Sequence, residues 1–535
     1  MIRFEDVSFR YGSDQWVLRD LDLSIEEGEL VVIVGPTGSG KTTMLKMIDG
    51  LVPHFTGGEM LGDVVVDSRS IRGTSPIEMA ETVGYVGQDP TATFVTDRVE
   101  DEVAYAMENL GVSPTAMRRR VEDALDLMSL HELRERPLRT LSGGQRQRVA
   151  IAAVLAASPR ILVLDEPTSA LDPGAAEEVL SSLTRLVHDV GMTVVVAEHR
   201  LERVLPFADQ IVLLGPDARA ISGSPRSIME GSPLVPPIVD LGRVAGWDPL
   251  PVTVREARRR SGDLADRLST VTPPSPSLIT GEVIASVDDL SVTYGGPWVL
   301  HSVSLEVRAG SITALMGRNG SGKSTLLGAL AGMIPADRGS VSVDRLDPST
   351  LKATERISRV GLVPQDPGLL LYCQHVGVEC TTADSEHHLA EGTTAAAVER
   401  ITADLDHDRH PKDLSEGQRL SLALGVVLAA EPLLVLLDEP TRGLDYDAKR
   451  ALCIELRRLA AEGRAVFLAT HDVELVAMVA DRAVVLAGGE VIADGIARDV
   501  VRHTPAFAPQ VAKVLAPQSW LTAAEVATAL SGVES

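Results

Sequence analysis

Residues 29–51 read ELVVIVGPTGSGKTTMLKMIDGL, and residues 311–333 read SITALMGRNGSGKSTLLGALAGM. In each, an apolar run of strand length ends at a glycine, a G-x-x-x-x-G-K-[ST] pattern follows, and an apolar-periodic stretch opens behind it. Strand, glycine loop and helix in that order let successive backbone N–H groups converge on phosphate oxygens at a helix N-terminus. Phosphate-binding residues are therefore expected at Gly35, Pro36, Thr37, Gly38, Ser39, Gly40, Lys41, Thr42 and Thr43. A second set is expected at Gly317, Arg318, Asn319, Gly320, Ser321, Gly322, Lys323, Ser324 and Thr325. Lys41 and Lys323 would bridge β- and γ-phosphates, while Thr42 and Ser324 would ligate magnesium.

The likeness between the halves runs past these loops. YGSDQWVL at 11–18 returns as YGGPWVL at 294–300, and a further apolar strand closes on paired carboxylates twice. These pairs are Asp165 and Glu166 in ILVLDEPTSALD (161–172), and Asp438 and Glu439 in LLVLLDEPTRGLD (433–445). At the C-terminal end of a parallel strand the aspartate can hold a magnesium shell and the glutamate can polarise an attacking water. Order is kept throughout and only connecting loops change length, as expected of one α/β fold used twice. The expected organisation is a first domain at 1–230, a linker at 231–281, a second domain at 282–502 and a short helical tail at 503–535. Within the linker, VREARRRSGDLADRL (254–268) has the pattern of an amphipathic helix.

Composition narrows the partners. Fifty basic against seventy-five acidic residues give a formal charge of −25, which opposes binding to a phosphate backbone and argues against a nucleic-acid partner. Three cysteines, an odd count without framework spacing, point to a reducing cytosolic compartment. Cys373, His375, Cys380, His387 and His388 match no zinc framework. MIRFEDVSFRYGSD lacks a signal-peptide pattern, and no apolar run approaches the roughly 20 residues of a membrane-spanning helix. If the protein acts at a membrane, another subunit spans it.

LSGGQ at 141–145 and LSEGQ at 414–418 complete the set. Through both phosphate loops, both acid pairs and these pentapeptides, the chain resembles the ATP-binding cassette family over nearly all its length outside the linker and tail. The resemblance implies two tandem cassettes, each a P-loop core sheet with a helical subdomain, hydrolysing ATP with Mg2+. It implies an intramolecular pair that clamps two ATP molecules. One site would join Lys41, Thr42, Asp165 and Glu166 to Ser415, Gly417 and Gln418; the other would join Lys323, Ser324, Asp438 and Glu439 to Ser142, Gly144 and Gln145. By the same resemblance Tyr11 and Tyr294 stack on adenine, and Gln88 and Gln365 sense magnesium and the transmembrane partner. Asp172 and Asp445 fit the loop that crosses between sites. Glu166 and Glu439, with the γ-phosphate-sensing His199 and His471, are the implied catalytic residues.

GQDPTATFVTDRVEDEVAYAMENLGV (87–112) is similar to the first ATPase of energy-coupling factor importers, and PQDPGLLLYCQHVGVECTTAD (364–384) more loosely to its partner. LGRVAGWDPLPVTVREARRR (241–260) and EPTRGLDYDAKR (439–450) also look like tandem versions of these ATPases. That likeness implies a transmembrane scaffold, a substrate-binding membrane subunit, a peripheral position on the cytoplasmic face, and a vitamin, vitamin precursor or transition-metal ion as cargo. Coupling helices of such a scaffold often bear arginine, which makes Glu100, Asp101, Glu102 and Glu379 candidate contacts. The second copy, HVGVEC, has one acid where the first has three. Two alternatives stand beside this one: a simple-sugar importer, whose second phosphate loop is typically degenerate, and a soluble ATPase acting on ribosome or nucleic acid. Glu416 replaces Gly143 within the pentapeptide; its carboxylate suits the helix macrodipole but opposes ATP charge, so a modestly asymmetric pair with both sites hydrolytic is expected.

Overall fold

The strands Leu30–Val34, Ile161–Asp165 and Thr193–Ala197 are buried along their whole length, and so are their counterparts Ile312–Met316, Leu434–Asp438 and Ala465–Ala469. Parallel strands covered on both faces take continuous apolar sequence, which is why these runs lack alternation. The structure, a computed structural model, describes residues 1–12, 15–169, 171–274, 281–402, 405–504 and 507–533. Two compact units divide the chain: residues 1–239 with 247–253, and residues 240–246 with 254–535.

In the first unit the core sheet has six strands in the order Val83–Val86, Ile161–Asp165, Thr193–Ala197, Leu30–Val34, Gln210–Leu214, Ala220–Gly223. All pairs are parallel except the last. A smaller antiparallel sheet places Ile2–Arg10 between Leu18–Ile25 and Glu59–Val66, with Phe4 opposite both Leu23 and Val64. Phe4, Phe9, Met44, Ile48 and Val163 share one core cluster, so the helix Lys41–Ile48 is packed with residues of both sheets. Each such side chain contributes about 1.5–3 kcal/mol by leaving water.

The second unit repeats this plan. Its six-stranded order is Val360–Val363, Leu434–Asp438, Ala465–Ala469, Ile312–Met316, Arg482–Ala487, Glu490–Ile496, beside a three-stranded antiparallel sheet of Trp298–Arg308, Val283–Thr293 and Arg338–Val343. Among the described residues each unit also carries three α-helices between its edge strand, Val83–Val86 or Val360–Val363, and the acid-bearing strand. These are Val99–Asn109, Pro114–Leu127 and Gly143–Ala156 in the first, and Val376–Glu386, Thr393–Ile401 and Glu416–Ala429 in the second.

The stretch 254–268 forms two helices, Val254–Arg260 and Gly262–Leu268, rather than one. They break at Ser261, whose hydroxyl donates to Arg258 O (3.0 Å) and Val514 O (3.4 Å). The C-terminal helices Gln510–Leu515 and Ala523–Val533 belong to the same unit; Gln518 Nε2 donates to Ala265 O (2.7 Å), and Trp520 is fully buried. Arg498 pairs with Glu525 at 2.5 Å. Among the described residues no helix is long and apolar enough to cross a membrane.

Candidate nucleotide sites

Parallel register brings the functional ends together. Asp165 pairs with Ala197, and Ala197 with Ile33, so Gly35, the acid pair and the Glu198–His199 segment leave three adjacent strands at one edge. Ligands of open α/β sheets bind outside these carboxyl ends.

Each loop closes on a left-handed glycine that caps the following helix: Gly40 (φ 95°) and Gly322 (φ 103°). A Cβ there would lie 2.9 Å from Val17 O and 2.8 Å from Val299 O, so any side chain would displace backbone. Lys41 is buried, with Nζ donating to Gly35 O and Pro36 O, both at 2.9 Å. Lys323 likewise reaches Gly317 O (2.9 Å) and Arg318 O (3.3 Å), and lies 3.6 Å from Glu439 Oε1. The Ser39 and Ser321 hydroxyls are buried without a hydrogen-bond partner among the described residues, as befits donors of a phosphate cradle. Tyr11 is edge-on to Phe9 and its hydroxyl is 3.0 Å from Thr43 Oγ1; Tyr294, largely exposed, has its hydroxyl 3.4 Å from Thr325 Oγ1.

Consecutive carboxylates part company at each strand end because Glu166 and Glu439 adopt left-handed backbone, φ 49° and 51°. Such strain, of order 1–3 kcal/mol for a non-glycine residue, is typical of functional sites. Thr42 donates to Asp165 Oδ2 at 2.8 Å, and Tyr85 OH approaches the same oxygen at 3.4 Å. Glu166 turns instead to His199 Nε2 (2.7 Å) and accepts from Gln88 Nε2 (3.2 Å). In the second unit Glu439 Oε2 is 2.8 Å from His471 Nδ1, while Gln365 is exposed. Burial pushes Asp165 and Asp438 upward against the opposing hydroxyls of Thr42 and Ser324. Burial also pushes Glu439 upward, but His471 and Lys323 outweigh it and hold the carboxyl below its ordinary range. Asp438 Oδ1 is buried without a hydrogen-bond partner among the described residues. A hydroxyl and a buried carboxylate side by side fit a small divalent cation, whose charge would relieve that desolvation.

Ser142 and Ser415 cap the helices Gly143–Ala156 and Glu416–Ala429 through identical reciprocal boxes. Gln145 N donates to Ser142 Oγ (3.3 Å) and Gln418 N to Ser415 Oγ (3.2 Å), with each glutamine side chain returning to its serine N–H. Gly144 and Gly417 are buried in the first turn of their helices. Glu416 leaves its cap intact: Oε1 lies 3.7 Å from Arg419, and its stem covers Gly443. Asp172 and Asp445 cap the next helices, accepting from Ala175 N (3.0 Å) and Ala448 N (2.9 Å).

The acids after each glutamine separate into two kinds. Glu102 is buried and its Oε2 accepts from Val95 N, Thr96 N and Thr96 Oγ1 at 2.8–3.0 Å; Glu379 likewise accepts from Tyr372 N (2.9 Å) and Cys373 N (2.7 Å). Both hold the preceding turn. Glu100 and Asp101 are exposed, the former 3.5 Å from Arg134. Among the described residues no group of three or more His, Cys, Asp and Glu is arranged to hold a metal. Tyr85 and Glu198 were not singled out by the sequence reading. The available signals were their departures from Leu362 and Thr470 at the matching places of the second half.

The family profile described as ABC transporter matches residues 18–169 and 300–442. A Streptomyces avermitilis protein named as an ABC transporter ATP-binding protein is 53% identical over 561 residues, covering 99% of this chain and 100% of its own. A Methanosarcina mazei protein of the same description is 33% identical, covering 94% and 90%. Among solved structures, an archaeal ribosome recycling factor, aABCE1, crystallised with the ribosomal stalk protein aP1, aligns with TM-score 0.59 over 93% of this chain and 91% of its own, at 22% identity.

Proposed function

The chain belongs to the ATP-binding proteins of ABC transporters, which hydrolyse ATP for transport, and from that premise we propose that it energises an importer of the energy-coupling factor type. The observation that carries this reading is the segment after Gln88, where Glu102 is spent on its own turn while Glu100 and Asp101 face outward beside it. Two exposed carboxylates at the start of a helix suit a basic coupling segment of a membrane scaffold. The cargo would be a vitamin, a vitamin precursor or a transition-metal ion, captured by a separate membrane subunit. The ATPase would sit peripherally on the cytoplasmic face.

In this reading ATP binding closes the two cassettes, with Ser142, Gly144 and Gln145 or Ser415, Gly417 and Gln418 completing the phosphate site of the opposite cassette. Lys41 and Lys323 neutralise β- and γ-phosphate charge, and Tyr11 and Tyr294 supply aromatic faces for the base. Glu166 and Glu439 orient the attacking water, each held by its histidine, and hydrolysis reopens the pair. Thr42, Asp165 and Gln88, and in the second cassette Ser324, Asp438 and Gln365, would hold Mg2+, which spreads the charge of the transferring phosphoryl group.

Gentle purification of the full chain from membranes, followed by mass spectrometry of what stays bound, tests the assignment. Recovery of an integral membrane scaffold together with a small substrate-binding membrane protein is expected. Ribosomal proteins without any integral membrane subunit would contradict it. The aABCE1 likeness bears on the fold alone.

A further inference from the structure

Beside His199 lies a carboxyl group that the reaction above leaves without a part. Glu198 is 1% exposed, and its backbone N donates to Ile33 O (3.1 Å), which fixes it at the end of the strand Thr193–Ala197. Its Oε1 accepts from both Thr168 N (2.9 Å) and Thr168 Oγ1 (2.6 Å). Thr168 is itself fully buried, two residues beyond Glu166. From the same segment as His199, Arg203 Nη1 donates to Thr168 O (2.8 Å) and Leu171 O (3.3 Å). The turn leading from Glu166 towards Asp172 is thus gripped at an N–H, a hydroxyl and two carbonyls by side chains that flank the histidine. Burial pushes the Glu198 carboxyl upward, which suits a hydrogen-bonding role rather than that of a free charge.

The second cassette is built differently at this place. Thr470 stands where Glu198 does, with the same backbone bond, here to Leu315 O (2.9 Å). Its short hydroxyl accepts from Asp472 N (3.0 Å), and Asp472 in turn pairs with Lys449 Nζ at 2.7 Å. Lys449 lies on the helix Tyr446–Ala461, beyond Asp445, so this pair ties the histidine segment to the helix past the turn.

We propose that Glu198 is a positioning residue specific to the first cassette: acting through Thr168, it locks the turn after Glu166 to the His199 segment and so holds the attacking geometry. It rests on the reading that Glu166 and His199 serve hydrolysis, and it adds an asymmetry independent of LSEGQ. The experiment is a double-mutant cycle on the full chain, measuring kcat, KM and nucleotide affinity for Glu198→Gln, Glu198→Ala, Thr168→Val and Glu198→Ala with Thr168→Val. Glu198→Thr replaces the alanine variant if the latter fails to fold. Glutamine keeps the accepting oxygen and should stay within about twofold of wild type, while the alanine and valine variants each lose about threefold or more in kcat at unchanged affinity. The double variant should be no worse than the poorer single one. Multiplying losses in the double variant, an unchanged kcat in Glu198→Ala, or an equal loss in Glu198→Gln would overturn the proposal. A wild-type chain that binds ATP without hydrolysing it would instead defeat the reading on which it rests.

Discussion

Glu416 shows how a residue that looks disabling in a pentapeptide is accommodated in its helix. Its carboxylate is compensated by Arg419, its stem lies on Gly443, and Ser415 and Gln418 form the same reciprocal cap as Ser142 and Gln145. An acid in the first turn of a helix stabilises by about 0.3–1 kcal/mol. Glu416→Gly is therefore expected to lower the melting temperature slightly and to change the steady-state ATPase rate by no more than about twofold, which is about 0.4 kcal/mol in barrier. A large gain in rate would mean that the carboxylate obstructs its site. The phosphate-loop lysines and strand-end acids were legible in sequence because their roles follow from backbone geometry within a few residues. Glu102 and Glu198 were not, since burial and partners decide them: an acid run reads alike whether a carboxylate faces water or caps its own turn, and Thr168 lies 30 residues from Glu198.

At the scale of elements, the helix Lys41–Ile48 carries a built-in electrostatic penalty. Asp49 ends it, 7% exposed, with Oδ1 accepting from Leu51 N (2.9 Å). Burial raises its carboxyl from 3.8 to about 7, and an acid at a helix C-terminus is also opposed by the macrodipole. Between those two values the folded chain keeps a proton that the unfolded chain releases, so this group's contribution to stability falls as pH rises from about 4 to 7 and is level above. Asp49→Asn keeps the acceptor without the charge. Its melting temperature should match wild type near pH 4 and exceed it at pH 8; a difference independent of pH would refute the assignment. The single helix read over 254–268 fails for a local reason, because Ser261 and Gly262 interrupt the ladder where the Ser261 hydroxyl bonds Val514 O. That tertiary bond, 253 residues away, leaves no mark on local periodicity.

Across the whole molecule, a tandem α/β architecture was legible because continuous apolar strands, glycine loops and acid pairs recur in one order, and each unit shows the same core strand order. The halves are equivalent in plan and different in wiring. Tyr85 reaches the acid pair in the first where Leu362 stands in the second, and Thr470 stands in the place of Glu198. These differences lie around the reacting groups, where a glutamate–histidine pair recurs in both units, through His199 Nε2 on Glu166 (2.7 Å) in the first and His471 Nδ1 on Glu439 (2.8 Å) in the second. The central claim is that both cassettes hydrolyse ATP. It is tested most directly by the steady-state ATPase rate of the full chain carrying Glu166→Gln, Glu439→Gln or both. Each single substitution should depress the rate strongly, and the double variant should fall by about 100-fold or more; a Glu166→Gln or Glu439→Gln enzyme that keeps the wild-type rate would contradict the account.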